Sequence, residues 1–320
     1  MDKIRRSALI LFDILLIPAI YPAGLILKIV RRIGVHRLPL CKRALLHIGI
    51  FPIRRHYYEP LFDSRDLRCL AEEKRKLSGI DFNVTGQLDI LKRFDFNSEL
   101  IRLDGATIAK SVTFHISNPA FGSGDAEYLY NFIRLTKPKK IIEIGSGYST
   151  LVGLMATSTN QRQSEDSKCN YICIEPFEMP WLESIGVQVI RNKVEDVGLD
   201  IFNQLDDGDI LFIDSSHIIR PQGDVLFEYL ELLPTLKPGV VVHIHDIFSP
   251  KDYPARWMID EVKFWNEQYI LEAFLTCNTQ WKIIGALNYL KHWHYTALKE
   301  CSPFLTPERQ PGSFYIQKIK

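Results

Sequence analysis

Residues 141–150, Ile141-Ile142-Glu143-Ile144-Gly145-Ser146-Gly147-Tyr148-Ser149-Thr150, constrain the fold of this chain more than any other segment. They read as a short buried strand that ends in an acid and turns through two glycines into a helix. Pro138-Lys139-Lys140 closes a preceding helix, and Leu151 to Met155 continues with helical apolar spacing. Three further segments repeat the design. Tyr171-Ile172-Cys173-Ile174-Glu175, Asp209-Ile210-Leu211-Phe212-Ile213-Asp214 and Val240-Val241-Val242-His243-Ile244-His245-Asp246 are apolar runs that also end in acids. Four such strands at βαβ spacing predict a doubly wound, Rossmann-like, mostly parallel sheet of seven strands. Such sheets bind ligands outside the carboxyl ends of their strands, so Glu143, Glu175, Asp214 and Asp246 should ring one crevice.

The turn also discriminates between ligands. A dinucleotide fingerprint needs a third glycine at position 150, where Thr150 stands. Glu143 would face a pyrophosphate, whereas S-adenosylmethionine carries no phosphate and is cationic at sulfur and nitrogen. The turn favours the sulfonium nucleoside, with Gly145, Ser146, Gly147, Tyr148 and Ser149 around it. Glu175 is placed to accept its ribose hydroxyls, and Asp214 to border the same crevice.

These motifs resemble a class I S-adenosylmethionine-dependent methyltransferase over about residues 119–320. Phe212-Ile213-Asp214-Ser215-Ser216-His217 and His243-Ile244-His245-Asp246-Ile247-Phe248 are similar to the branch of macrolide-sugar O-methyltransferases and cephalosporin-hydroxylase-type proteins. The resemblance implies that Glu143, Gly145 and Gly147 line the methionine part of the cofactor and that Glu175 holds the ribose. It implies a divalent cation on Asp214 and Asp246, with His245 standing where an acid is usual. Imidazole suits zinc, iron or nickel better than magnesium.

A sugar hydroxyl is a poor nucleophile at neutral pH and needs a base or a metal. Asp214, His217, His245 and Asp246 are the candidate catalytic residues. His245 is the first choice of base without a metal; with one, Asp214, His245 and Asp246 are the expected ligands. His243 reads as a core histidine.

The amino terminus is different material. Residues 7–28 are apolar, flanked by Lys3, Arg5 and Arg6 before and by Lys28, Arg31 and Arg32 after. A bilayer span needs ~20 apolar residues. Pro18, Pro22 and Gly24 interrupt the run, and the flanks carry the same charge, so a re-entrant helix–break–helix is expected ahead of a span. Arg5-Arg6, Phe12-Asp13-Ile14 and Pro18 resemble the re-entrant membrane helix of polyprenol-phosphate phosphoglycosyl transferases. Residues 40–50 read as an amphipathic surface helix. The expected domains are a membrane-associated segment (1–35), a helical region covering the acceptor (36–118) and a cofactor-binding domain (119–320). Helices are also expected over 66–76, 87–94, 126–135 and 257–274. Strands 281–287 and 312–318 should pair antiparallel at the sheet edge, with a surface helix in the insertion between them.

A net charge of +1 argues against a nucleic-acid binder. The six cysteines are scattered and suit reduced thiols. The sequence therefore points to an O-methyltransferase using S-adenosylmethionine, with or without a divalent metal ion. It would act on a small-molecule or lipid-linked glycan acceptor at the cytoplasmic membrane face, as a monomer or a homo-oligomer. The alternatives are a metal-dependent hydroxylase on the same fold and a non-catalytic membrane-docked subunit.

Overall fold

A computed structural model describes residues 2–68, 73–108 and 112–320. The chain divides into two compact units, residues 1–70 and 71–320. In the first, helix α1 (Asp2–Ile33) is continuous through Pro18 and Pro22. This corrects the expected helix–break–helix. The two prolines are four residues apart, so the hydrogen bonds they delete lie on one face, at the carbonyls of Ile14 and Pro18, and the rest of the ladder carries the helix through. Helix α2 (Pro39–Ile48) follows and buries none of its residues. Glu59 accepts from Arg31 Nε (3.1 Å), Arg54 N–H (2.9 Å) and Arg54 Nε (3.0 Å), tying the end of α1 to the loop beyond α2.

The second unit begins with α3 (Val84–Leu91), α4 (Asn97–Leu100) and a small antiparallel pair, β1 (Ala106–Ile108) and β2 (Val112–Phe114). The main sheet follows α5 (Asp125–Thr136). It comprises β3 (Lys140–Ile144), β4 (Asn170–Ile174), β5 (Gln188–Ile190), β6 (Ile210–Ile213), β7 (Val241–Ile244), β8 (Trp281–Ala286) and β9 (Phe314–Lys318). Their order is β5-β4-β3-β6-β7-β9-β8, seven strands as expected, with β9 antiparallel to both β7 and β8.

Alternation along each strand decides the two layers. Ile141, Tyr171, Cys173, Phe212 and Val241 pack on one face against α5 and α6 (Tyr148–Gln163). Ile142, Ile144, Ile172, Ile174, Leu211, Ile213, Val242 and Ile244 pack on the other, against helical residues 224–235 and Glu267–Leu275. His243 lies on the first face, fully buried, stacked on Tyr315 (centroids 4.0 Å) with Nε2 2.8 Å from Ser313 Oγ.

Three expected helices differ: the surface helix of the insertion before β9 is two, Leu287–Trp293, with residues 287–291 buried, and Tyr295–Glu300. Residues 69–72 of the 66–76 segment lie outside the described residues; 73–77 run irregularly, and Arg75 is paired with Glu272. The 257–274 helix is two pieces, a π-helical turn Arg256–Asp260 and Glu267–Leu275. Val262 takes φ 51° at the break, where the N–H groups of Asn266 and Glu267 turn to the carbonyl of His217 (2.9 and 3.2 Å).

Arg134, 2% exposed, joins α5 to α4 through Glu99 (Nε 2.7 Å, Nη2 2.9 Å) and covers the Phe96 ring at 4.8 Å. That hydrogen bond holds the Glu99 carboxyl below its usual range. A depressed acid stabilises above its unfolded pKa and loses that contribution as pH falls through the folded value. Glu99→Gln should therefore destabilise by about 1–3 kcal/mol near neutrality. Urea unfolding should show the gap between variant and parent closing below about pH 4.

Candidate active site

The turn after β3 is laced to both neighbouring strands. Gly145 N–H donates to Ile174 O (3.0 Å) and Asp214 N–H donates to Ile144 O (2.9 Å). Gly145 has φ +75°, and a Cβ there would overlap the carbonyl oxygen of Asp214. The glycine is thus required by the fold before any ligand arrives. Gly147 is open; a Cβ would meet only Met179 Cε at 3.6 Å. Glu143 lies beneath the turn, fully buried, accepting from Ser149 Oγ and from Tyr171 OH (2.7 Å). Burial pushes its carboxyl up to about 7.

Beside the turn is a cleft of about 430 Å³ lined by Gly145, Glu175, Val194, Asp214 and Ser216 among others. Glu175 Oε1 accepts from the N–H groups of Phe177 and Glu178, both at 2.8 Å. Its Oε2 has no hydrogen-bond partner among the described residues. Arg191 braces this loop by donating to the carbonyls of Glu175 (3.0 Å), Glu178 (2.6 Å) and Met179 (3.2 Å). A larger recess of about 520 Å³ between α4, β1 and α6 has no acidic strand end in its lining.

At the ends of β6 and β7, Asp214, His217 and Asp246 each offer a donor atom within 4.8 Å of the others. His217 Nε2 lies 3.3 Å from Asp214 Oδ1 and 3.7 Å from Asp246 Oδ2. Its Nδ1 lies 2.7 Å from Glu267 Oε2, and Tyr229 OH donates to Glu267 Oε1 (3.1 Å). A carboxylate on Nδ1 places the ring proton there and leaves Nε2 to the aspartates. His245 packs behind, with Nδ1 3.4 Å from Asp214 Oδ2 and 3.7 Å from Asp246 Oδ1, and Nε2 3.8 Å from Asp125 Oδ2. His245 Nδ1 is buried without a hydrogen bond.

Charge dominates this cluster. Burial alone would favour neutral rings, but Asp214 and Glu267 push His217 up to about 10. Asp246 and Asp214 likewise raise His245 well above its ordinary value. For Asp214, burial is outweighed by His245 and His217, which hold the carboxyl well below the usual range. At Asp246 burial prevails and raises it.

The structure brings Gly145, Glu175 and Asp214 together around the cleft. Ser146, Gly147, Tyr148 and Ser149 form the adjoining turn and the start of α6, while Glu143 is enclosed under it. His217 joins the two aspartates as the third converging donor, and His245 sits at their back. Sequence reasoning missed Glu267 and Asp125. At the start of α5, Asp125 Oδ1 accepts from Ser313 N–H (2.7 Å) and Oδ2 from Gly312 N–H (3.3 Å), holding the 312–313 turn against Asp246.

Residues 142–247, from β3 to just past β7, match the family described as a methyltransferase domain. An uncharacterized protein of Archaeoglobus fulgidus is 29% identical over 171 residues, covering 49% of this chain and 75% of that protein. Among solved structures, an O-methyltransferase from Bacillus cereus in complex with SAH is 12% identical, covers 74% of this chain and 91% of that one, and gives a TM-score of 0.36. The MycE methyltransferase from the mycinamycin biosynthetic pathway, in complex with Mg, SAH and mycinamycin VI, is 12% identical, covers 61% and 49%, and gives 0.33.

Glu143 yields a pH test. Its folded pKa lies above its unfolded one, so folding takes up a proton and stability falls as pH rises from about 4.3 through 7. The loss is on the order of 3 kcal/mol for a shift of this size. Melting temperatures of the parent should decline across that window, while Glu143→Gln should decline less. Parallel profiles would show that Glu143 does not titrate there.

Proposed function

We propose that this chain is an S-adenosylmethionine-dependent O-methyltransferase acting on a hydroxyl of a sugar, glycan or glycolipid at the cytoplasmic face of a membrane. The observation that carries the reading is the adjacency of two half-sites on one sheet. A nucleoside-sized cleft with an unpaired Glu175 oxygen opens beside the Asp214–His217–Asp246 cluster. The cleft suits the cofactor, since Glu175 Oε2 can accept a ribose hydroxyl and Gly147 leaves the backbone approachable. When bound, S-adenosylmethionine supplies a methyl group made electrophilic by positively charged sulfur.

Two carboxylates and an imidazole with converging donor atoms also fit a divalent cation, with Asp214, Asp246 and His217 as its holders. A cation there would supply Lewis acidity toward the acceptor oxygen and offset the carboxylate charge that keeps both imidazoles protonated. Glu267 fixes His217 with Nε2 toward the aspartates. With that charge offset, a neutral His245 would take the hydroxyl proton at Nδ1, the atom without a hydrogen bond. The deprotonated acceptor oxygen would then be ready to take the methyl group that bound S-adenosylmethionine would supply, the carbon–sulfur electron pair leaving with sulfur. Asp125, 3.8 Å from His245 Nε2, steadies the charged ring.

The membrane half of the reading rests on α1. Its 29 residues Arg5–Ile33 are apolar enough to cross a bilayer, and the apolar stretch buries nothing within the protein. A 32-residue helix is ~48 Å long, more than the ~30 Å of a hydrocarbon core. A bilayer is the surrounding that such a surface fits.

Calorimetry tests the site. Glu175→Ala should weaken S-adenosylmethionine by ~1.5–3 kcal/mol, the range for hydrogen bonds to a charged acceptor. Asp246→Asn should keep that affinity and lose binding of a divalent cation. Full cofactor affinity in the Glu175 variant would overturn the assignment.

Deleting residues 1–35 should move the protein from the membrane pellet to the supernatant with cofactor binding intact. A deletion variant that still sediments with membranes would remove α1 as the anchor.

A further inference from the structure

The groove leading away from Asp246 has a polarity that the methyl-transfer reading does not use. Its inner recess, about 130 Å³, is lined by His245, Asp246, Phe248, Trp257 and Arg309 among others. An outer recess of about 250 Å³ shares Phe248 and Gln310 with it and adds Lys251, Asp252 and His292. The two adjoin at those residues, and together they approach the size of small-molecule sites, which run ~300–1,000 Å³.

Charge changes sign along this path. The inner recess holds the carboxylates of Asp125 and Asp246 together with the Arg309 guanidinium. Arg309, half-buried over Gly122, makes no side-chain hydrogen bond or ion pair among the described residues. Farther out, Lys251 Nζ lies 2.9 Å from His292 Nε2, and His292 also meets Gln310 Oε1 at 2.8 Å. Asp252, the acid among the described residues lining this recess, pairs with Arg75 (3.1 Å) and accepts from Tyr269 OH (3.0 Å). Between the two ends, Trp257 and Phe248 meet edge to face at 5.2 Å as an apolar wall. Lys263 covers the Trp257 ring at 4.2 Å.

We infer that this groove is the acceptor subsite and that it selects a hydroxylated ring bearing an anionic group, phosphate or carboxylate. The inference rests on the methyl-transfer reading above. The hydroxyl lies at Asp246, the ring lies along Trp257, and the anion lies at Arg309. A guanidinium without a protein partner matches such an anion with two parallel hydrogen bonds. The anion can belong to a free sugar phosphate or to a lipid-linked phosphosugar.

The test uses the full chain in detergent, saturated with S-adenosylhomocysteine, and follows binding by calorimetry. The probes are glucose 1-phosphate, glucuronate, glucose and a polyprenyl-linked phosphosugar in vesicles. At least one anionic probe should bind ~10-fold or more tighter than glucose, and Arg309→Gln should erase that margin while leaving S-adenosylmethionine affinity unchanged. Binding of the vesicle probe alone assigns the anion to a lipid-linked acceptor, and binding of a soluble probe alone assigns it to a free one. Equal binding of glucose, an unaffected Arg309 variant, or no binding of any anionic probe to a cofactor-competent protein overturns the subsite. Absence of cofactor binding in the parent would instead strike at the methyl-transfer reading.

Discussion

The contact between Gly145 and the backbone of Asp214 holds the arrangement together. Because residue 145 has no Cβ, the ends of β3 and β6 close to within hydrogen-bonding reach, and β4 closes on β3 from the other side. Three strand ends are thereby brought level. The cleft opens above that seam, and Asp214, the last residue of the seam, is shared by the cleft and the acidic cluster. A ligand in one half-site and a cation in the other would meet at the same residue.

The second dependence is electrostatic. Asp125, Asp214, Asp246 and Glu267 are gathered around His217 and His245, within 2.7–3.8 Å of the ring nitrogens. Buried charges of one sign are costly unless they are compensated. The two imidazoles supply the compensation by staying protonated, which is why both rings are shifted upward despite burial. The same logic explains Glu228 below, whose Oε1 lacks a partner: with Glu267 and Asp224 nearby, burial keeps its carboxyl neutral.

Much of this was legible in the chain. Apolar runs ending in acids carry their own register, so strands β3, β4, β6 and β7 and the placement of Glu175, Asp214 and Asp246 at strand ends were readable, whereas the short strand β5 carries no such run and was not. The parts that did not follow are those set by distant contacts. Glu267 sits fifty residues beyond His217 and would fall mid-helix in an uninterrupted 257–274 segment; only the break at Val262 swings it under the histidine. Local pattern cannot choose between His217 and His245 as partner of the aspartates, because the choice is made by a turn after β6 rather than by a strand face. The prolines of α1 misled for a related reason: proline weakens a helix locally, while the length of apolar ladder on both sides of it decides whether the helix continues.

His217 and Asp246 both hold left-handed backbone, φ 61° and 58°. For residues with a side chain such geometry costs of order 1–3 kcal/mol. Glycine or asparagine would relieve that cost at either position. Selection of this protein for heat resistance alone would therefore drift toward replacing these two residues, and its most durable descendants would have lost the convergence of their donor atoms. The strain marks where the molecule has given up robustness to keep two donor atoms aimed at one point.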